Sequence, residues 1–327
     1  MSVPHLRRYW HAVAWSRAIG ETPAATVLLG QPLVLWRHDV EGVIAMADRC
    51  PHRGTALSLG TVEDGCLTCP YHGWTYDGSG RCVGIPQQPV GTAIPPRAVV
   101  ERFRCTERYG LVWVALDEPT SGIPLFPEWD DPSYRHVECP PYTWDASAER
   151  MVENFTDFGH LGYLHDGYLG ERSNLVVPGH TVSDRGDALH YEITMTVPNT
   201  NDEFTVTDLA GERGTQTNTY VLTLPYTIHL QCTYRETGRH RTLYFVAQPL
   251  TESRSTGYCF QSRDFDLDGD DQPYADFQEL LAEQDRPIVE SQRPTQLPLG
   301  LTSELHLPFD RVAIAYRRAL TRIFESP

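Results

Sequence analysis

Long apolar runs are missing from this chain. Nothing in its 327 residues approaches the roughly 18 uninterrupted apolar positions of a membrane-spanning helix. The opening "MSVPHLRRYWHAVAW" lacks the apolar core of a signal peptide, so the expected location is the cytoplasm, with no membrane partner. Basic charge is scarce as well: 27 Lys and Arg stand against 43 Asp and Glu, a formal net charge of −16. That balance argues against a broad nucleic-acid or anionic-membrane surface, which needs a basic stripe. A glycine-rich dinucleotide fingerprint and a P-loop are absent too, so NAD(P)H and flavin are expected to bind on a separate polypeptide. What remains is an ordinary globular composition, 40% apolar and 21% charged, long enough for two domains.

The eight cysteines stand at 50, 66, 69, 82, 105, 139, 232 and 259. Reduced, buried thiols are the usual state of such residues in a cytosolic chain. Four of them crowd between 50 and 82, however, and two have histidines close by in sequence, which suggests metal more than disulfide.

Residues 1–115 read as short strands broken by Gly, Pro and Asp, with "TVLLGQPLVLWR" and "YGLVWVAL" as examples. The proline- and acid-rich stretch 117–141 reads as an extended connection. The boundary is placed there, giving an all-β domain over 1–125 and a second domain over 126–327. The second domain opens with a helical segment at about 149–165. In "TYVLTLPYTIHLQC" the even positions from Tyr220 to Cys232 share one face of a half-buried antiparallel strand. "RTLYFVAQPL" and "STGYCFQSR" follow as its partners. Two helices close the chain, one with a kink expected at Pro287, the other with Phe309, Val312, Ile314, Tyr316 and Leu320 as buried candidates. The fold class is therefore α+β, an all-β unit followed by an antiparallel sheet with helices packed on one side. The acidic run "DFDLDGDD" starts like a calcium loop, but its twelfth position is Ala275, where a bidentate Glu is required.

Two loops carry the chemistry of the first domain. "CPHRG" supplies Cys50 and His52, and "CPYHGW" supplies Cys69 and His72. Two thiolates and two imidazoles can hold structural zinc. They can also hold a [2Fe–2S] cluster, with the cysteines on one iron and the histidines on the other. Zinc fingers usually pair Cys with Cys and His with His. Each loop here carries one of each, which favours the iron–sulfur arrangement. "CPHRGTALSLG" and "CPYHGWTYDGSG" resemble the Rieske motifs of ring-hydroxylating oxygenases, down to Gly54, Gly73, Trp74 and Tyr76.

The stretch "ENFTDFGHLGYLH" offers a second centre. His160 and His165 with one carboxylate would make a facial triad for non-haem Fe(II), leaving positions open for dioxygen. Residues five apart lie about 140° around a regular helix, so the two rings converge only if the helix ends or bulges near Gly159–Gly162. The acids Asp276, Glu279, Glu283, Asp285 and Glu290 on the later helix are all candidates for the third ligand. The stretch also resembles the mononuclear-iron motif of the same family, at Glu153, Asp157, His160 and His165, and "EQDRPIVESQRP" resembles its third-ligand segment, which implies Asp285. The resemblance further implies that Asp157 links His160 to a Rieske histidine, here His72, across a subunit boundary. It places Asn154 close to the iron; a helix-capping or packing amide is the alternative there. Leu161, Leu164, Tyr226, Ile228, Phe245 and Ile288 are candidate pocket residues.

The chain is thus similar to single-chain Rieske monooxygenases such as methylxanthine N-demethylases, vanillate O-demethylase-like enzymes and saxitoxin-tailoring oxygenases. That resemblance implies an N-terminal Rieske domain and a helix-grip catalytic domain. It implies a head-to-tail homotrimer, electrons from a ferredoxin or flavin reductase, dioxygen, and a small cyclic or heterocyclic substrate that is hydroxylated or loses an N- or O-methyl. Ring cis-dihydroxylation is an alternative outcome, and an electron carrier with an inactive second domain is an alternative of another class.

Overall fold

The run Leu33–Trp36 is apolar at every position because its strand is covered on both faces: Leu33 and Leu35 enter one buried cluster, Val34 and Trp36 another. A computed structural model describes residues 3–197 and 214–325, and the chain divides into two compact units, Ser2–Ile123 and Pro124–Pro327.

In the first unit a short helix, α1 (Val3–Leu6), precedes ten strands: β1 (His11–Trp15), β2 (Ala24–Leu28), β3 (Gln31–His38), β4 (Gly42–Ala47), β5 (Thr61–Glu63), β6 (Cys66–Thr68), β7 (Thr75–Tyr76), β8 (Cys82–Gly84), β9 (Arg104–Arg108) and β10 (Leu111–Ala115). They form three antiparallel sheets, ordered β1-β10-β9, β2-β3-β4 and β5-β6-β7-β8. Cys50 and Cys69 belong to the buried cluster that contains Trp36 and Tyr76, so both sulfurs rest on the core.

The second unit is built on one antiparallel sheet. Its strands are β11 (Arg135–Glu138), β12 (Tyr142–Trp144), β13 (Thr181–Asp184), β14 (Ala188–Val197), β15 (Gly214–Thr223), β16 (Thr227–Tyr234), β17 (His240–Thr251) and β18 (Arg254–Arg263). The order is β11-β18-β17-β16-β15-β14-β13, and β12 also pairs with β18. Around them lie α2 (Ala148–Thr156), α3 (Leu161–Leu164), α4 (Gln272–Ser291) and α5 (Arg311–Glu325). Helix α2 packs on β17 and β18, where Phe155 stacks on Phe245 at 4.7 Å. The opposite face is covered by the segment after Pro124: Phe126 stacks on Tyr244, and Glu128 accepts from His229 and Thr242.

Four expectations change. The stretch 220–232 is a hairpin, because Pro225 has no N–H for a ladder and the chain reverses at 224–226. Its even positions still share a face, since Leu222 pairs with Ile228 and Tyr220 with Leu230. The stretch 117–141 is more than a connection: β11 pairs with β18, and its proline-rich flanks hid it. The segment 149–165 is two pieces, with α2 ending at Thr156. Phe309 precedes α5 and is 40% exposed, and Ile314 is only half-buried, whereas Val312, Tyr316 and Leu320 are buried. Helix α4 runs through Pro287 to Ser291, and the acidic run ends on Asp271, which pairs with Arg135 and Arg263.

Candidate metal centres and active-site cavity

The two N-terminal loops are built alike. Gly54 N–H donates to Cys50 O and Cys50 N–H to Thr55 O; Gly73 N–H donates to Cys69 O and Cys69 N–H to Trp74 O. Both glycines take positive φ, +76° and +69°, which side-chain-bearing residues adopt at a cost. These paired turns bring the His52 and His72 rings to 4.5 Å between centres, and Trp74 stacks on His52 with an interplanar angle of 3°. Tyr76 Oη lies 3.1 Å from Cys50 Sγ. Burial pushes the Cys69 thiol up, and the adjoining Cys50 adds to the effect, so the Cys69 sulfur ionises readily only against a cation. Burial, together with His72 and Arg53, pulls His52 down and keeps its imidazole neutral, the form that ligates metal. Its Nδ1 is buried without a hydrogen-bond partner. The donor set fits a [2Fe–2S] cluster.

In the second unit Ser147 caps α2 by accepting from Arg150 N–H. The helix stops at Thr156, and Asp157 turns the chain by accepting from Gly159 N–H at 2.8 Å. Its other oxygen lies 3.1 Å from His160 Nδ1, and this bond holds the Asp157 carboxyl low against the opposing effect of burial. His160 then precedes the single turn α3, and His165 follows it. Gly170 packs against this turn so closely that a Cβ there would lie 2.7 Å from Gly162 Cα. The break resolves the spacing problem: the ligating atoms of His160, His165 and Asp285 all lie within 4.8 Å of one another. His165 Nε2 is 3.1 Å and His160 Nε2 3.6 Å from Asp285 Oδ1. The 3.1 Å contact is off the hydrogen-bond direction, and Oδ1 is a buried oxygen without a donor. Gln284 Oε1 lies 2.7 Å from His165 Nδ1 and fixes that ring from behind. Burial opposes a charged His165, but Asp285 outweighs it and draws the ring toward protonation. A cation at the convergence point would satisfy the carboxylate instead. Two imidazoles and one carboxylate with their outer nitrogens already held fit a mononuclear Fe(II) site.

Glu153, the first acid of the stretch, has another partner. Arg317 donates to both of its oxygens, at 2.8 and 2.9 Å, in a cluster with Arg150 and Glu304. Asp276, Glu279 and Glu283 are outside the converging group, and Glu290 accepts from Asp145 N–H.

A cavity of about 130 Å³ opens beside His160, His165 and Asp285. Asn154 and Leu161 line it. Helix α4 contributes Phe277, Gln278, Leu281, Ala282 and Asp285 from one face. Of the six pocket candidates, Leu161 alone lines this cavity. Leu164 and Ile288 line a separate groove on the outer side of Asp157, which Asn154 also borders. Ile228 and Phe245 are on the cavity's face of the sheet but beyond its end, under α2, and Tyr226 is in the hairpin turn with its hydroxyl on Glu149. Alternation identifies a face; it carries no information on position along the strand. No sequence motif singles out Gln284 or the inward Arg241, Gln216 and Gln261. Arg241 could have been found as a charge in phase with Leu243 and Phe245.

Comparison with known proteins agrees with this geometry. Residues 9–103 match the Rieske [2Fe-2S] domain family, and residues 144–326 match the vanillate O-demethylase oxygenase C-terminal domain. Methylxanthine N1-demethylase NdmA of Pseudomonas putida is 34% identical, over 98% of this chain and 90% of that one. Methylxanthine N3-demethylase NdmB of the same organism is 31% identical, over 96% and 88%. The solved structure of NdmA from P. putida CBB5 with caffeine superimposes with a TM-score of 0.88 at 33% identity, over 99% of this chain and 93% of that one. The chain belongs to the Rieske non-haem iron oxygenases: it is the oxygenase component of a monooxygenase, with a [2Fe–2S] cluster and mononuclear iron as cofactors and a separate reductase as its source of electrons.

Proposed function

We propose that this oxygenase removes a methyl group from nitrogen or oxygen of a small cyclic compound, or hydroxylates it, at the cavity beside His160, His165 and Asp285. The observation that carries this reading is the convergence of the two Nε2 atoms and Oδ1 at the cavity wall. In this reading those three residues hold the iron, and Cys50, His52, Cys69 and His72 hold the cluster, within domains of residues 1–125 and 126–327. When bound, the iron supplies dioxygen activation and the cluster supplies stored electrons.

The chain's own residues do the rest. Gln284 and Asp157 accept at Nδ1 of each ring, which leaves both Nε2 lone pairs free for metal. Phe155 and Leu281 give the cavity apolar wall beside the three proposed ligands. The balance is substrate–CH3 plus O2, two electrons and two protons, giving demethylated substrate, formaldehyde and water. The methyl C–H bond becomes C–OH, and the resulting hemiaminal or hemiacetal breaks to release formaldehyde.

The finer assembly is part of the same proposal. Asp157, half-exposed, would link His160 to the partner subunit's His72 in a head-to-tail homotrimer served by a ferredoxin or flavin reductase. Eight free cysteines fit a reducing cytoplasm. The test is iron analysis together with product analysis. About three irons per chain and formaldehyde from an N- or O-methyl substrate are expected. About two irons would indicate an electron carrier, and a cis-diol product a dioxygenase.

A further inference from the structure

Arg241 is a cation where the strand pattern calls for an apolar side chain. It stands in β17 in phase with Leu243 and Phe245, lines the cavity, and is only 7% exposed. The other buried arginines of this unit are paired: Arg150 with Glu304 at 2.7 Å, Arg317 with Glu153 at 2.8 Å, and Arg263 with Asp271 at 3.1 Å. Arg241 forms no ion pair among the described residues. Its neighbours are Cys232, Tyr234 and Tyr274, with the Phe277 ring centre 6.0 Å from Cζ. None supplies an anion near neutral pH, since burial pushes the Cys232 thiol up, Tyr234 up to about 12, and Tyr274 up as well. Its Nε is buried with no hydrogen-bond partner. A buried, uncompensated charge is strongly unfavourable, and a guanidinium fork matches a planar carboxylate.

We propose that Arg241 is the recognition point for a carboxylate on the substrate, which therefore enters as an anion with its methyl group at the opposite end of the cavity. This rests on the reading of that cavity as the substrate site. The dimensions agree. Phe277, beside Arg241, and Asp285 share one face of α4 and stand eight residues apart, about 12 Å along the helix. One six-membered ring with a substituent at each end bridges that gap. Gln261 and Gln278 line the same cavity, and the Oε1 atom of each is buried with no donor. Gln261 Nε2 is already committed to Tyr274 O at 2.8 Å, so its Oε1 is available to an O–H or N–H on the ligand. The cavity thus offers one cation and one acceptor from the sheet and a second acceptor from α4.

The test is equilibrium binding to the iron-loaded protein, by calorimetry, with matched probes: 3- and 4-methoxybenzoate against the corresponding methoxybenzamides. The wild type should bind an acid at least about tenfold more tightly than its amide, as expected for a charge-assisted bond. Arg241→Gln should erase that preference, and Arg241→Lys should keep part of it. The unfolding midpoint of Arg241→Gln should be equal to or above wild type, because an uncompensated charge has been removed. Several results overturn the proposal: no acid binding better than its amide, a preference that survives in Arg241→Gln, or a lowered midpoint with discrimination unchanged. Formaldehyde release is scored separately. Carboxylate-selective binding without formaldehyde or hydroxylated product defeats the demethylation reading and leaves this one standing. Formaldehyde from the amide, with no preference for the acid, defeats this one alone.

Discussion

Replacing Gln284 by leucine isolates the contribution of one hydrogen bond to iron affinity. His165 is 1% exposed, and Gln284 Oε1 accepts from its Nδ1 at 2.7 Å. Leucine removes the acceptor at similar volume, so the Nδ1–H of this buried ring loses its partner. That costs about 1–3 kcal/mol, or roughly 5- to 150-fold in metal affinity. Outer partners of metal-bound imidazoles span about 10- to 100-fold, in agreement. Gln284→Glu keeps an acceptor and adds charge, so it should bind iron at least as well as wild type. The assay is anaerobic Fe(II) competition against a chelator of known affinity, with circular dichroism to verify folding. If the folded Leu variant holds iron as tightly as wild type, Gln284 does not orient His165 and the tautomer argument fails.

Three further outcomes are expected. Gly170→Ala places a Cβ 2.7 Å from backbone at Gly162, which cannot yield as a side chain would; a loss of about 1–3 kcal/mol in denaturant unfolding and reduced iron retention should follow. Tyr76→Phe removes the hydroxyl 3.1 Å from Cys50 Sγ; that bond favours the more negative, reduced cluster, so the midpoint potential should fall by about 40–60 mV in redox titration, and an unchanged potential refutes the contact. Glu128 is buried, which raises its carboxyl, but His229 and Thr242 more than compensate and hold it below its ordinary 4.5. A lowered carboxylate contributes stability that is fully present above pH 4.5 and lost as pH falls through the depressed value. Glu128→Gln should therefore flatten the acid limb of a urea-midpoint profile, and a wild-type slope in that variant would count against the pairing.

The proposed metal ligands are legible in the sequence because their chemistry is local. Cys50, His52, Cys69 and His72 occupy two short loops, and His160 and His165 one segment, so spacing singles them out, while the choice of iron over zinc leans on the pairing of the two loops and on resemblance. Asp285 was harder, since five acids share its helix and only resemblance separated them. The half-sheet pattern from Tyr220 to Cys232 fixed a face but concealed the turn at Pro225. Leu164, Ile228, Phe245 and Ile288 missed the cavity for a related reason: which end of a face is open depends on where α2 and α4 cross it. Gln284 is illegible as a partner, because the ring it holds, His165, lies 119 positions away.

Helix α4 carries Asp285, the orienting Gln284 and one wall of the cavity on a single rod. A substitution that reshapes this wall also nudges the proposed ligand Asp285, so adaptation to new compounds along it is tied to retention of the metal. The facing strands hold no ligand. Inward positions on β15–β18 can therefore change without moving a proposed ligand on their own strand. Divergence in what such an enzyme accepts should therefore accumulate on the pleats and spare the rod.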